Sequence, residues 1–246
     1  MNLHTISPHP VDTGIPEKVI EGNIRLELSE ESRRLIDQCR QYLDKKVRNS
    51  DGLIYGVNTG FGGLHNVAVG NKDLERLQNN LVMSHACGTG PQVPEVIVRL
   101  MLFLKIRSLS YGYSGVQLKT VERLVDFFNM GVIPVVYEQG SLGASGDLAP
   151  LAHLALPLIG LGEVDFRGKR ISGSELNRQM GWEPIALQSK EGLALLNGTQ
   201  FMCAFGLWCL VQAQRLADQA DMICALSLDA YDGRPEPFTK EVHQIR

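Results

Sequence analysis

Apolar residues recur at helical spacing along most of this chain. The exception near the start is Ile24–Leu28, where apolar and polar residues alternate as they do in a strand. From Ser29 the spacing changes to three and four residues, and Ser29 is a suitable N-cap for the helix that this pattern predicts. Further helices are predicted from Asn71, from Pro94 to near Gly112, and from about Val116 to Met130, with Gly131 as the stop.

The second half of the chain is also predicted to be mainly helical. An extended segment at 133–137 precedes a helix over about 147–161, which Pro157 kinks or ends, and a small hairpin follows at 164–171. From Glu191 the pattern predicts some thirty or more helical residues. Residues 192–211 are apolar enough for a membrane span, but the polar residues among them favour a core helix.

These elements predict a mainly α fold. Its N-terminal part contains short β elements and loops and leads into a bundle of long helices that this chain leaves truncated. We place the domain boundary between an N-terminal mixed domain at 1–113 and the first part of a central helical domain at 114–246.

Composition excludes several classes of protein. The 246 residues are 44% hydrophobic with a formal net charge of −3, which argues against a disordered chain and against binding to nucleic acid or an anionic membrane. The 5 cysteines form no CxxC pair and no cluster with histidine, so we expect reduced thiols in a cytoplasmic protein without a metal site. No export signal is visible at the N-terminus.

The densest cluster of glycine and serine lies at 140–150. If its role is purely structural, this cluster is a turn that leads into a helix, with Ser145 or Asp147 as the N-cap. A hydrolase nucleophile elbow would need glycine two residues after Ser145, where Asp147 stands. A phosphate-binding loop fails because no Gly-Lys-Ser/Thr follows.

A third interpretation of this cluster is backbone cyclisation within Ala144-Ser145-Gly146. The glycine nitrogen attacks the alanine carbonyl carbon, which is feasible because glycine lacks a Cβ. Loss of one water closes an imidazolone ring, and loss of the serine hydroxyl as a second water leaves 4-methylideneimidazole-5-one (MIO). This electrophile requires no external cofactor and suits the elimination of ammonia from an α-amino acid.

The sequence around this tripeptide resembles a known family. Residues 140–153 closely resemble the signature of the histidine and phenylalanine ammonia-lyase family, and the segments at 55–62 and 196–200 resemble two further motifs of that family in the same order. The resemblance spans nearly the whole chain. It implies a carbon–nitrogen lyase of the histidine ammonia-lyase type, with MIO formed from Ala144, Ser145 and Gly146.

The resemblance also implies roles for single residues. Tyr55 matches the tyrosine proposed to transfer a proton at the substrate β-carbon, although outside this motif it would be read as a packing residue. Asn197 matches the asparagine that hydrogen-bonds the carbonyl of the electrophile. His85, after Ser84, resembles the selectivity position of the histidine-specific members, since its imidazole can pair with the imidazole of L-histidine. The implied product is urocanate, as in histidine degradation.

Several alternatives remain open at this point. The chain could belong to a phenylalanine or tyrosine ammonia-lyase, to a 2,3-aminomutase, or to a non-catalytic helical scaffold for oligomerisation. Members of the family are about twice as long and assemble as homotetramers whose active sites draw on more than one subunit. We therefore expect this chain to be the N-terminal half of such a protein and to be inactive or impaired by itself.

Overall fold

The computed structural model describes residues 2–49, 52–59, 70 and 73–244. They divide into two compact units, Met1–Phe205 and Gly206–Arg246. Helices dominate both units, which confirms the predicted mainly α class. The predicted domain boundary at 113/114 lies inside the first unit and stays a prediction.

Short strands form three small sheets in the first unit. Strands β1 (Asn2–Ile6) and β2 (Ile24–Leu28) pair in parallel through the intervening helix α1 (Ile15–Ile20). The remaining strands pair antiparallel, β3 with β5, β4 with β6, and β6 with β7. They are β3 (Thr89–Gln92), β4 (Ile133–Pro134), β5 (Tyr137–Gln139), β6 (Glu163–Phe166) and β7 (Lys169–Ser172).

Four long helices supply a large share of the core of the first unit. The cap of the first is confirmed, because the backbone N–H of Ser32 donates to Ser29 Oγ at 3.0 Å. Gly131 ends the fourth with a φ of 69°, so the predicted glycine stop is also confirmed. The helices are α2 (Glu30–Asn49), α3 (Leu74–His85), α4 (Glu95–Ser110) and α5 (Leu118–Met130).

Helix α4 is the most deeply buried of these elements. It is apolar on nearly every side, and Leu100, Met101 and Leu102 have no exposed surface. A helix that is buried all round carries little amphipathic signal and lies in the interior. Among its charged residues, Lys105 is almost completely buried.

One predicted helix start, Asn71, lies outside the described residues, and the structure describes α3 from Leu74. One predicted helix end needs correction. The helix predicted over 147–161 is α6 (Leu148–Ala155), which tightens into a 3-10 turn at Leu156–Ile159. Pro157 lies in that turn, and a proline cannot supply the N–H that a continued α-helix needs.

The long helix predicted from Glu191 is wrong as a single element. The chain forms α8 (Glu191–Leu196), breaks, and resumes as α9 (Gln200–Ala230). The break places Asn197 in an extended conformation and Gly198 at a φ of 141°. Contacts from distant parts of the chain hold this break open, as described below.

The remaining elements complete the two units. Helix α7 (Gly173–Met180) follows the β6–β7 hairpin, which confirms the hairpin predicted at 164–171. The second unit contains most of α9, a 3-10 turn at Glu236–Phe238 and the short helix α10 (Lys240–His243). Within the described part of the chain, no helix has both the length and the apolar character needed to cross a membrane.

Candidate active site

The tripeptide Ala144-Ser145-Gly146 lies on an exposed loop between β5 and α6. Gly143 and Gly146 have φ values of 79° and 104°, in the region that favours glycine. A Cβ added to Gly146 would lie 2.8 Å from the backbone nitrogen of Gly198 and closer still to its carbonyl oxygen. Glycine at 146 is therefore required by close backbone contact as well as by backbone torsion.

Two loops distant in sequence meet at this point. Gly146 and Gly198 form an isolated parallel bridge, and the N–H of Asp147 donates to the Gly198 carbonyl at 2.7 Å. The bridge joins the tripeptide loop to the break between α8 and α9. It explains why the chain does not continue as one helix through Asn197, since Gly198 is held in an extended pairing instead.

Asp147 stabilises this junction with its buried side chain. Its carboxylate accepts from Ser141 Oγ at 2.7 Å and from the backbone N–H of Met202 at 3.0 Å. Asp147 occupies the N-cap position of α6, but its side chain does not cap that helix. It satisfies an N–H in the first turn of α9 instead, where a negative charge is favourable. The prediction that Ser145 or Asp147 caps the helix after the loop is therefore correct for the position of Asp147 and wrong for its side chain, which makes no capping hydrogen bond to α6.

Asn197 follows the last residue of α8 and has an exposed side chain. Its backbone N–H and its Nδ2 both donate to the Leu193 carbonyl, at 3.1 and 2.9 Å. The amide group has a second N–H and an oxygen besides. A short helix that ends here thus projects a polar amide next to the tripeptide loop.

Tyr55 lies in a tight turn that its neighbours organise. The Ile54 carbonyl accepts from the N–H groups of residues 57 and 58, and Ile54 N–H donates to Asn58 Oδ1 at 2.6 Å. Gly56, at a φ of 70°, permits the turn. Tyr55 is consequently presented outward and is 56% exposed. The rest of the glycine-rich motif, from residue 60 onward, lies outside the described residues.

His85 is the last residue of α3. Its Nδ1 lies 2.9 Å from the Leu81 carbonyl, an acceptor, so Nδ1 carries a proton, and in the neutral form of the ring Nε2 is an acceptor. Ser84 Oγ lies 3.2 Å from the same Nδ1. This arrangement fixes the orientation of the ring at the end of the helix.

Two open clefts meet at Ser145. One is lined by His85, Cys87, Ala144 and Gly146 as well as Ser145. The other is lined by Tyr55 and Asn197, again with Ser145. The structure therefore brings every predicted site residue to one tripeptide from four separate segments of the chain.

His153 lies on α6, at the end of the stretch 140–153 that carries the family signature. Its Nε2 accepts from the N–H of Gly88 at 3.0 Å, and burial lowers its pKa, which favours this neutral form. The contact ties α6 to the segment that follows His85. A structural role is consistent with this position.

Sequence reasoning missed two buried charged residues at the site. Asp147 was considered only as a cap, and Lys105 was not considered at all. Lys105 Nζ donates to the carbonyls of Ala194 and Asn197, at 2.8 and 3.0 Å. The available signal was its spacing of four residues from Met101 and from Leu109, both buried on the same helix face.

Comparison with known proteins identifies the family. Residues 16–246 match the family described as "Aromatic amino acid lyase". A histidine ammonia-lyase of Caldanaerobacter subterraneus is 43% identical over 93% of this chain and 45% of its own length. One of Legionella pneumophila is 45% identical over 94% of this chain and 45% of its own length. The chain belongs to the aromatic amino acid lyase family, as its motifs predicted.

Solved structures agree with this assignment. The crystal structure of histidine ammonia-lyase from Trypanosoma cruzi superposes with a TM-score of 0.90 at 34% identity, over 100% of this chain and 48% of that one. A tyrosine aminomutase from Streptomyces globisporus gives a TM-score of 0.90 at 33% identity, over 98% and 45%. The chain thus spans about half the length of the relatives that it matches.

Proposed function

We propose that the full-length protein, meaning this chain together with the part that its relatives have beyond it, is an ammonia-lyase that converts L-histidine to urocanate and ammonia. The observation that carries this proposal is the convergence of Tyr55, His85 and Asn197 on Ser145. The family assignment supports the reaction class, and the names of the most similar relatives support the substrate.

The residues of the loop fit the MIO group, which we propose forms from Ala144, Ser145 and Gly146. All three lie on a surface-exposed loop, and glycine at 146 is enforced by its contact with Gly198. Residues on both sides of the loop are fixed through Asp147, so the tripeptide is held between rigid supports. Such preorganisation favours a reaction between backbone atoms that an ordinary flexible loop does not undergo.

Elimination breaks the Cα–N bond, removes one proton from Cβ and forms the Cα–Cβ double bond. When formed, MIO supplies an electrophile that activates the α-amino group as a leaving group. Tyr55 is the residue we assign to proton transfer at Cβ, since it lines the same cleft as Ser145. Asn197 supplies a hydrogen bond at the tripeptide that stabilises developing negative charge.

His85 is the residue we assign to substrate selection. Its acceptor Nε2 can receive the N–H of a substrate imidazole, whereas a phenyl ring would leave that nitrogen without a partner when the cleft closes around it. Selection by a hydrogen bond of this kind discriminates strongly between isosteric substrates.

A second candidate function is a 2,3-aminomutase or lyase acting on phenylalanine or tyrosine. The similarity to tyrosine aminomutase structures favours it specifically. The third candidate is a helical scaffold that keeps the loop without cyclising it. For the full-length protein we propose a homotetramer in the cytoplasm, consistent with the free cysteines and with the apolar side chains that the second unit exposes, among them Leu210, Leu216 and Leu226.

The deciding experiment measures the intact mass of the full-length protein under denaturing conditions. We expect a loss of two water molecules, localised to the peptide that contains residues 144–146. Ser145→Ala should prevent the loss of the second water. Ser174 is an exposed serine on α7, and Ser174→Ala should leave the loss of both waters unchanged. A full unmodified mass in the wild type would support the scaffold instead.

Turnover assays then separate the enzymes. Urocanate from L-histidine is the expected product. Release of a β-amino acid from phenylalanine or tyrosine would establish the aminomutase alternative. Assay of the present chain alone should show little or no activity, because its relatives are about twice as long.

A further inference from the structure

We propose that Lys105 is a positioning residue for Asn197, whose buried ammonium holds the broken end of α8 in the conformation that presents Asn197 to Ser145. This inference rests on the proposed function, because that function assigns Asn197 its part in the reaction. Lys105 belongs to α4 and lines neither of the two clefts that meet at Ser145.

A broken helix leaves backbone carbonyls without their usual hydrogen-bond donors. In an uninterrupted α-helix the Ala194 carbonyl would accept from the N–H of Gly198. That bond is absent here because Asn197 is extended and the Gly198 N–H belongs to the segment paired with Gly146. Lys105 Nζ takes its place, at 2.8 Å from the Ala194 oxygen. The ammonium therefore terminates α8 from a neighbouring helix.

The residue that follows the break is held by hydrogen bonds as well. Lys105 Nζ also donates to the carbonyl of Asn197 itself, at 3.0 Å. The next carbonyl, that of Gly198, accepts from the N–H of Asp147 at 2.7 Å. Two successive carbonyls are thus held from different elements, one from α4 and one from the loop that carries Ser145. Together they fix where the Asn197 side chain stands relative to the tripeptide.

Burial of the Lys105 side chain carries a cost in free energy. Lys105 is 1% exposed, and among the described residues it forms no ion pair with a carboxylate. Its charge is balanced only by carbonyl oxygens at the C-terminal end of α8, where a cation is favourable. Burial lowers the pKa of Lys105 to about 7, which reflects the penalty for placing a charge there. A methionine could fill this interior position without the penalty. The lysine is therefore explained by its two hydrogen bonds rather than by packing.

The test uses the full-length protein and steady-state kinetics with L-histidine. Rates are expressed per chain that has lost two water molecules, so that any defect in ring formation is counted separately. We expect Lys105→Met to lower kcat at least tenfold while KM changes less than threefold, in the same direction as Asn197→Ala but to a smaller extent. Lys105→Gln, which keeps a shorter neutral donor, should give an intermediate kcat.

Met101→Ala is the matched control. Met101 lies one turn earlier on the same buried face of α4, so its truncation perturbs the same core without touching α8 by hydrogen bond. We expect it to lower the melting temperature and to leave kcat per modified chain within twofold of wild type.

Two results would overturn the inference. One is an unchanged kcat in Lys105→Met, or in Lys105→Gln should the methionine variant not fold. The other is an equal loss of kcat in Met101→Ala, which would make the effect one of general core damage. A wild-type protein without turnover of any aromatic amino acid would instead refute the proposed function, so the two failures are distinguishable.

Discussion

Replacing Gly146 by alanine tests whether the two site loops are held together by direct backbone contact. The added Cβ would lie 2.8 Å from the nitrogen of Gly198 and 3.1 Å from its carbonyl carbon, so one of the two backbones must move. Moving packed backbone costs about 1–3 kcal/mol, and the φ of 104° adds roughly 1–2 kcal/mol for a residue with a Cβ. We therefore expect Gly146→Ala to lower the free energy of unfolding by about 2–5 kcal/mol.

The same loop offers a matched control for this prediction. Gly143 also has a positive φ, 79°, but a Cβ built on it meets nothing within 4 Å. Gly143→Ala should therefore cost only the backbone contribution of roughly 1–2 kcal/mol.

The assay is equilibrium urea denaturation followed by circular dichroism, with wild type and both variants under the same conditions. The mass measurement should show that Gly143→Ala still loses two water molecules and that Gly146→Ala does not. Equal destabilisation by the two substitutions would refute the reasoning, because the contact with Gly198 would then contribute nothing measurable.

Three further predictions concern buried or orienting side chains. Asp147→Ala should lower the free energy of unfolding by about 2–4 kcal/mol, measured by thermal denaturation. The substitution leaves the N–H of Met202 and the hydroxyl of Ser141 without their acceptor. Asp147→Asn should lower the free energy of unfolding by less. His85→Phe in the full-length protein should reduce kcat/KM for L-histidine at least a hundredfold and reduce kcat/KM for phenylalanine much less, with the two substrates assayed side by side. An unchanged ratio of the two kcat/KM values would show that His85 does not select the substrate. The pKa of Lys105 is about 7 in the folded state and near 10.5 in the unfolded chain. Between these two pH values the unfolded state binds more protons than the folded state. The stability of the wild type relative to Lys105→Met therefore increases as the pH rises. The difference in the free energy of unfolding should change by up to about 5 kcal/mol over that window, measured by urea denaturation at several pH values; a flat difference would show that the ammonium is not penalised by burial.

Local sequence signals predicted the helix ends that depend on nearby residues. The cap at Ser29 and the stop at Gly131 depend on residues within one turn of the helix end, so sequence alone identifies them. The β6–β7 hairpin was predictable for the same reason. Helix α1, six residues at Ile15–Ile20, was missed because so short a periodic segment is indistinguishable from an irregular one.

The break between α8 and α9 was missed, although it positions the site. The residues on both sides have helical spacing, and the Asn197-Gly198 dipeptide between them is a local turn signal. Three long-range interactions stabilise the break: the bridge between Gly146 and Gly198, the Asp147 side chain on α9, and the ammonium of Lys105 on the end of α8. Such contacts depend on the packing of segments that are far apart in the chain.

The candidate site divides in the same way. The chemical groups and the family follow from the sequence, because the Ala-Ser-Gly loop, the tyrosine turn and the asparagine motif are each contiguous strings with recognisable patterns. The meeting of these strings at Ser145, and their support by Asp147 and Lys105 from the interior, follow from the tertiary structure. A buried charge is stable where distant backbone groups provide its partners, and those partners exist only once the chain has folded.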